Sequence, residues 1–80
     1  MTSEETQKEI IKLASTIFDE NLSLRNIHMG TVDVKNTIMY ESKVFSNSMK
    51  ELVCGGLSPK RNEALGLLLK TVNRIYNKTK

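Results

Sequence analysis

LSPKRNEALGLLLKTVNRIY, residues 57–76, is the most strongly patterned stretch of the sequence. Ser58 is placed to cap a helix, and Pro59 follows at the first helical position, where its fixed φ suits a helix and its missing N–H costs nothing. Six apolar residues recur there at steps of three and four, namely Leu65, Leu68, Leu69, Val72, Ile75 and Tyr76. Such spacing places them on one helical face. The stretch therefore predicts a helix over residues 59–76 with one face buried.

A further helix is predicted near the N-terminus, from Ser3 to Glu20. Thr2 and Glu5 have the spacing of a capping box, and acidic residues in a first turn are favoured by the helix dipole. The apolar residues of this stretch again share one face: Ile10, Leu13, Ala14, Ile17 and Phe18. The opposite face is polar, which indicates that it contacts solvent.

The middle of the chain is predicted to form a third helix over residues 35–54. One stripe of this helix is formed by Ile38, Ser42, Phe45, Met49 and Leu52. Gly55 and Gly56 follow, and glycine is the residue that most often ends a helix in a left-handed conformation. The β-branched residues Val32 and Val34 weaken the start of this helix. Residues 21–30 are compatible with a helical turn, an extended linker or a brief strand.

Together these segments predict an all-α fold: a small bundle of three principal helices with a short irregular or helical linker between the first two. Residues 1–80 form a single domain, and the polar, basic tail at 77–80 is expected to fray. A chain of this length buries only about 60–65% of its unfolded surface, so its core is marginal. We therefore expect a homo-oligomer, most simply a dimer.

The net charge of +3 is distributed unevenly along the chain. Residues 1–20 carry five acids and two bases, whereas residues 58–80 carry six bases and one acid. A basic surface of this kind attracts nucleic acid, anionic lipid or an acidic protein. The alternative interpretation is a face that is simply solvated.

Several classes of site are excluded by composition. The longest apolar run, residues 67–69, is too short to cross a bilayer, and the acidic start of the chain is unlike a signal peptide. We therefore expect a cytoplasmic protein that does not contact membranes. With a single cysteine, Cys54, and a single histidine, His28, no disulfide, metal site or catalytic triad is predicted, and neither is a cofactor. We predict that the protein is not an enzyme.

One candidate binding site is the start of the C-terminal helix. Two cations there, Lys60 and Arg61, oppose the helix dipole at a cost of about 0.3–1 kcal/mol, and a bound anion would relieve that cost. The predicted anion site comprises Ser58, Lys60 and Arg61, joined by Arg25 or His28 if the linker folds back. The alternative is that both cations point into solvent.

A second candidate surface consists of residues that the three-helix bundle does not bury. Leu67 points away from the apolar stripe of its helix, and Gly66 is easier to understand where another backbone approaches. The predicted dimer interface comprises Tyr40, Val44, Gly66, Leu67, Lys70 and Arg74. The alternative is that Leu67 is one exposed leucine among many.

The functional expectation follows from these surfaces. Without catalytic groups, a small helical protein acts by binding, so we predict a regulatory or inhibitory protein that docks on another protein through a helical surface. The alternative is a protein that binds nucleic acid, a nucleotide or another small anion through Lys60, Arg61, Lys70 and Arg74. Gly56, Leu57 and Ser58 also resemble the turn of a helix-turn-helix motif, but the flanking residues do not continue the pattern.

Overall fold

The computed structural model describes residues 2–79, which fold as a helix, three strands and a second helix. The elements are α1 (Ser3–Phe18), a 3-10 turn (Leu24–Asn26), β1 (Ile27–Val34), β2 (Thr37–Phe45), β3 (Glu51–Ser58) and α2 (Arg61–Thr79). The strands form one antiparallel sheet in the order β1-β2-β3. Both helices contribute buried side chains to one core cluster together with the sheet. The domain is therefore α+β.

The prediction of an all-α bundle is wrong, because residues 35–54 form most of two strands rather than a helix. Side chains alternate across a strand, so Ser42 and Val44 face the helices while Glu41 and Lys43 face the other way. Both Ser42 and Val44 are 0% exposed. Because Ser42 is polar but lies in the buried row, the sequence of β2 does not show the alternation of apolar and polar residues that predicts a strand. The spacing typical of a helix was therefore the stronger signal in this stretch.

Ser42 can occupy the core because its hydroxyl has a partner. Its Oγ donates a hydrogen bond of 2.8 Å to the carbonyl oxygen of Ala64 in α2. A buried hydroxyl without a partner destabilises a fold by about 1–3 kcal/mol, whereas a satisfied one does not. The serine thus joins β2 to α2 directly.

The prediction of the first helix is confirmed, including its capping box. The Thr2 hydroxyl accepts a 3.2 Å hydrogen bond from the Glu5 N–H, and the Thr2 N–H donates to the Glu5 carboxylate at 3.3 Å. The Thr2 hydroxyl also donates to the Glu5 carboxylate at 3.0 Å, and this bond, together with the one from the Thr2 N–H, lowers the pKa of Glu5 below its ordinary value. The helix ends at Phe18, two residues before the predicted end, because Asp19 adopts a left-handed conformation with φ 50°.

The prediction of a C-terminal helix is also confirmed, with shifted ends. Leu65, Leu68 and Val72 are buried as predicted, and the rest of the stripe packs against the core. The helix begins at Arg61, two residues after Pro59. It continues to Thr79 where a frayed tail was predicted from residue 77, and residue 80 lies outside the described residues.

The β1–β2 connection is a tight turn that sequence analysis missed. Lys35 and Asn36 have φ values of 49° and 66°, which is the pattern of a two-residue type I′ hairpin. Val34 pairs with Thr37 across this turn. β3 pairs with residues 40–45 of β2 but not with the residues before Tyr40, so residues 31–39 form a two-stranded arm. Most of this arm is exposed.

The two faces of the sheet differ in what they contact. The covered face, toward the helices, includes Ile27, Met29, Thr31 and Asp33 of β1, which pair with Val44, Ser42, Tyr40 and Ile38 of β2. The open face carries the alternating residues, among them His28, Val32, Glu41, Lys43 and Phe45. No described helix lies on the open face.

Glycine in β3 allows α2 to approach the sheet closely. Gly55 and Gly56 were predicted to cap a helix in a left-handed conformation, but neither has positive φ. A Cβ on Gly55 would lie 3.0 Å from both the Cα and the N of Leu68. The glycine is therefore required by the helix backbone that packs on it.

Leu68→Ala should lower the free energy of unfolding by about 2–5 kcal/mol, because it removes most of a fully buried side chain. Leu57→Ala is the matched control, since Leu57 is 40% exposed. It should cost about 1 kcal/mol or less. Urea denaturation followed by circular dichroism measures both values. Equal losses in the two variants would show that α2 buries a different face.

Gly55→Ala should lower the free energy of unfolding by about 1–3 kcal/mol, because its methyl group would press on the backbone of α2. Gly30→Ala makes the same change in β1 at a position with nothing within 4 Å. That control should change stability by about 0.5 kcal/mol at most. Thermal denaturation of the two variants measures this difference. A Gly55→Ala variant as stable as the wild type would contradict the close packing of α2 on Gly55.

Candidate functional site

The predicted anion site is only partly assembled by the fold. Ser58, Lys60 and Arg61 lie together at the start of α2. Arg25 lies in the 3-10 turn, beside the β2–β3 loop. His28 lies on the open face, where its ring packs against Phe45 with centroids 4.7 Å apart. Neither Arg25 nor His28 therefore joins the other three residues.

The first turn of α2 already contains its own acid. The Ser58 hydroxyl accepts a 3.2 Å hydrogen bond from the Lys60 N–H and donates one of 2.8 Å to the carboxylate of Glu63. A carboxylate in the first turn stabilises the positive end of the helix dipole. Glu63 thus offsets the unfavourable placement of Lys60 and Arg61 without any bound anion.

Arg61 is exposed, and its side chain extends over the sheet. Its guanidinium carbon lies 5.9 Å from the centroid of the Tyr40 ring, within range of a cation–π contact. The side chain also lines a cleft of about 420 Å³ between the N-terminal ends of α1 and α2. The cleft is completed by Ser3, Gln7, Ile27, Met29, Asn62 and Leu65. Arg61 is thus the cation of this cleft.

The outward face of α2 carries a row of cations, which we call the basic ridge: Lys70, Arg74 and Lys78. All three are exposed, and they follow one another at four-residue steps. Like charges at this spacing repel each other and destabilise a helix by a few tenths of a kcal/mol per pair. The exposed asparagines Asn62, Asn73 and Asn77 flank the ridge.

The ridge is not neutralised by the rest of the chain. Within residues 2–79, the carboxylates that form ion pairs contact Lys8 or Lys43, and no ridge residue takes part. Glu63 is the one acid of α2, and its carboxylate bonds to Ser58. The outward face of α2 therefore presents uncompensated positive charge.

The six predicted interface residues do not form one surface. Val44 is fully buried in the core, so it does not reach a partner. Tyr40 lies beneath Arg61, and Leu67 is half-buried against Gly56. Gly66, Lys70 and Arg74 remain on the outward face of α2, and a Cβ on Gly66 would meet nothing within 4 Å. Gly66 therefore has no role in packing inside the monomer.

The open face holds a polar cluster that sequence analysis did not detect. Lys43 Nζ lies 3.0 Å from the Glu51 carboxylate and 3.6 Å from that of Glu41. The hydrogen bond that Lys43 donates to the Glu51 carboxylate, reinforced by the negative charge of Glu51, raises the pKa of Lys43. Strand pairing brings these residues together from β2 and β3, and a helical interpretation of residues 35–54 separates them.

Cys54 belongs to the same cluster and is not activated there. Its Sγ donates to Glu41 Oε2 at 3.3 Å. Burial first, and then this bond and the negative charge of Glu41, raise the pKa of the thiol. A raised pKa lowers the fraction of thiolate, which is the nucleophilic form. The arrangement therefore gives a protonated and weakly reactive cysteine.

Other classes of site are not found in the part of the chain that the structure describes. Residues 2–79 contain no group of three or more His, Cys, Asp or Glu side chains that could hold a metal ion. Neither described helix has the length and hydrophobicity needed to cross a bilayer. Comparison with protein-family models, curated proteins and solved structures finds no match for the chain. The basic ridge and the Arg61 cleft are therefore the two candidate binding features of the described residues.

Cys54 should react with iodoacetamide more slowly in the folded protein than in urea, because its raised pKa lowers the thiolate fraction near neutral pH. Glu41→Gln should speed alkylation several-fold by removing the facing negative charge. Glu51→Gln is the matched control and should have a smaller effect, since Glu51 makes the smallest contribution to the shift. Mass spectrometry follows the reaction. A rate unchanged in Glu41→Gln would contradict the contact.

Proposed function

We propose that this protein binds the phosphate backbone of a double-stranded nucleic acid through the basic ridge of α2. The observation that carries the proposal is the row of three exposed cations, Lys70, Arg74 and Lys78, that no described carboxylate neutralises. Phosphate contacts release counterions condensed on the nucleic acid, which gives binding that needs no particular sequence. The repulsion within the ridge would be relieved in the complex.

The dimensions of the ridge suit a run of phosphates. Four residues of α-helix rise about 6 Å, so the ridge spans about 12 Å from Lys70 to Lys78. Phosphates of one strand follow each other every 3.4 Å along a duplex axis, so this span corresponds to about three or four of them. The flanking asparagines Asn73 and Asn77 add donors of the kind that hydrogen-bond phosphate and sugar oxygens.

A duplex is favoured over a single strand because the protein offers no stacking platform for unpaired bases. Proteins that bind single strands stack bases on exposed aromatic side chains. Phe45 packs against His28, and Tyr40 lies beneath Arg61. Phe18 and Tyr76 pack against the core. All four Phe and Tyr residues are thus engaged within the domain.

Docking on another protein through a helical surface stays a prediction. The apolar stripes of both helices face the core, so a protein partner would have to contact the polar outward faces. An acidic protein is the kind that the basic ridge would attract. We also place the function in the cytoplasm, a proposal supported by a lone cysteine that forms no disulfide.

The experiment is fluorescence anisotropy with a labelled 20-base-pair RNA duplex, the DNA duplex of the same sequence and the single-stranded RNA. We expect binding to the duplexes that weakens as salt rises from about 50 to 200 mM, with a logarithmic slope of about −2 to −3 for three phosphate contacts. Lys70→Gln and Arg74→Gln should each reduce that slope by about 1.

Lys8→Gln is the matched control. It removes the same charge from α1, where Lys8 already pairs with Glu4 at 3.3 Å, and it should leave binding nearly unchanged. Equal losses in Lys8→Gln and Lys70→Gln would show attraction to net charge alone and contradict a site on α2. Absence of duplex binding at low salt, or equal competition by polyglutamate, would overturn the proposal.

A further inference from the structure

β1 has one edge that pairs with no other strand. In the order β1-β2-β3 it pairs with β2 on one side only, and its eight residues contain no proline and no lysine. Proteins usually protect an exposed edge with such residues, because its unpaired N–H and C=O groups are a template for another strand. Asp33 is the one charged residue of β1. The edge is therefore available for pairing.

The hairpin geometry determines which backbone groups face this edge. In a two-residue hairpin, the residues that flank the turn exchange both backbone hydrogen bonds, and here these are Val34 and Thr37. The direction alternates along the strand, so the backbone groups of Val32 and Gly30 also point to β2. Those of Met29, Thr31 and Asp33 therefore point to the free edge.

This edge is complementary to itself. If two copies of β1 run antiparallel with Thr31 opposite Thr31, then Met29 of each copy lies opposite Asp33 of the other. The three residues with outward backbone groups then exchange about six hydrogen bonds across the pair. On the open face, Val32 lies opposite Gly30, so no charges of the same sign meet there.

The same register brings opposite charges together on the covered face. Met29 lines the cleft that holds Arg61 and Asn62. Asp33 of the second copy, paired against Met29, would place its carboxylate at the mouth of that cleft. There it would meet the Arg61 guanidinium and the first backbone N–H groups of α2, which have no partner within the helix. The two-fold symmetry provides this contact twice.

We propose that the protein forms a symmetric dimer in which two β1 strands pair antiparallel about Thr31, making a six-stranded sheet, and Asp33 of each copy binds in the Arg61 cleft of the other. The dimer covers the free edge of β1, the strand that contains Val32 and Val34, which are each 38% exposed in the monomer. It leaves the basic ridge outside the paired strands. The inference therefore does not depend on the proposed function.

A charge reversal tests the pairing. Light scattering during size-exclusion chromatography should give about twice the 9.1 kDa mass of the chain for the wild type at tens of micromolar. Asp33→Arg and Arg61→Asp should each raise the dimer dissociation constant about tenfold or more, because each places like charges together. The double variant Asp33→Arg with Arg61→Asp should restore the dimer.

Lys70→Asp is the matched control, because it makes a comparable charge reversal on the outward face of α2 and should leave the dimer intact. Circular dichroism confirms that each variant is folded. A monomeric wild type at several hundred micromolar would overturn the proposal. A dimer that survives both single reversals, or a double variant that is not restored, would also overturn it.

Hydrogen exchange provides an independent measurement on the unmodified chain. The amides of Met29, Thr31 and Asp33 should be protected at high protein concentration and exchange faster on dilution. Those of Gly30 and Val32, which bond to β2 within one chain, should be protected at both concentrations. Fast exchange at Thr31 in a sample that scatters as a dimer would place the interface elsewhere and overturn the proposed pairing.

Discussion

The close packing of α2 on β3 is the contact on which the rest of the structure depends. Gly55 has no side chain, and the backbone of Leu68 occupies the space that a Cβ would need. The Leu68 side chain is fully buried, and one helical turn earlier the carbonyl of Ala64 accepts a hydrogen bond from the Ser42 hydroxyl. Together these contacts fix both the depth of α2 and its rotation about its own axis. The rotation decides which residues of α2 face solvent.

The basic ridge and the position of Arg61 follow from that rotation. With Leu65, Leu68 and Val72 toward the sheet, the basic ridge must point outward, and Arg61 must point toward Tyr40 and β1. The cations of α2 therefore lie in two different environments, the basic ridge on the outward face and Arg61 beside the sheet. The ridge lies on the exposed outward face of α2, whereas Arg61 lies over Tyr40 and lines a cleft. The single acid of β1, Asp33, has the complementary charge.

The opposite end of the sheet is held by a small network of amide side chains. Asn26 is buried, and its side chain donates to the Phe45 carbonyl at 3.0 Å and to the Asn47 side chain at 3.1 Å. Asn47 also binds the α1–β1 connection, because its backbone N–H donates a 2.9 Å hydrogen bond to the Glu20 carboxylate. These bonds join the two loops, so the base of the sheet is fixed while the arm extends freely.

The two terminal helices could be predicted from sequence because each has a capping residue and a continuous apolar stripe. The sheet could not be predicted in the same way. Ser42 interrupts the buried row of β2, and the glycines of β3 serve helix packing while resembling a helix end. Two local signals for strands were present: the Lys35–Asn36 turn, flanked by β-branched residues, and the cluster of serine and asparagine at residues 46–48 within the predicted helix.

The candidate site residues were likewise predictable from the sequence only in part. The positions of Lys70 and Arg74 on an outward face follow from helical periodicity alone, so sequence was sufficient for the ridge. The surroundings of Arg61, His28 and Val44 depend on which strands pair, and that is a property of contacts between residues distant in sequence. Helical periodicity carries no information about such contacts.

The packing of α2 on β3 can be measured directly by nuclear Overhauser spectroscopy on the isotope-labelled protein. Strong cross-peaks are expected between the α protons of Gly55 and both the amide and α protons of Leu68, because the Cβ direction of Gly55 points at that backbone. Strand cross-peaks between Val44 and Val53 should accompany them. Sequential helical contacts through residues 37–54, with no cross-peak between Gly55 and Leu68, would contradict the packing of α2 on β3.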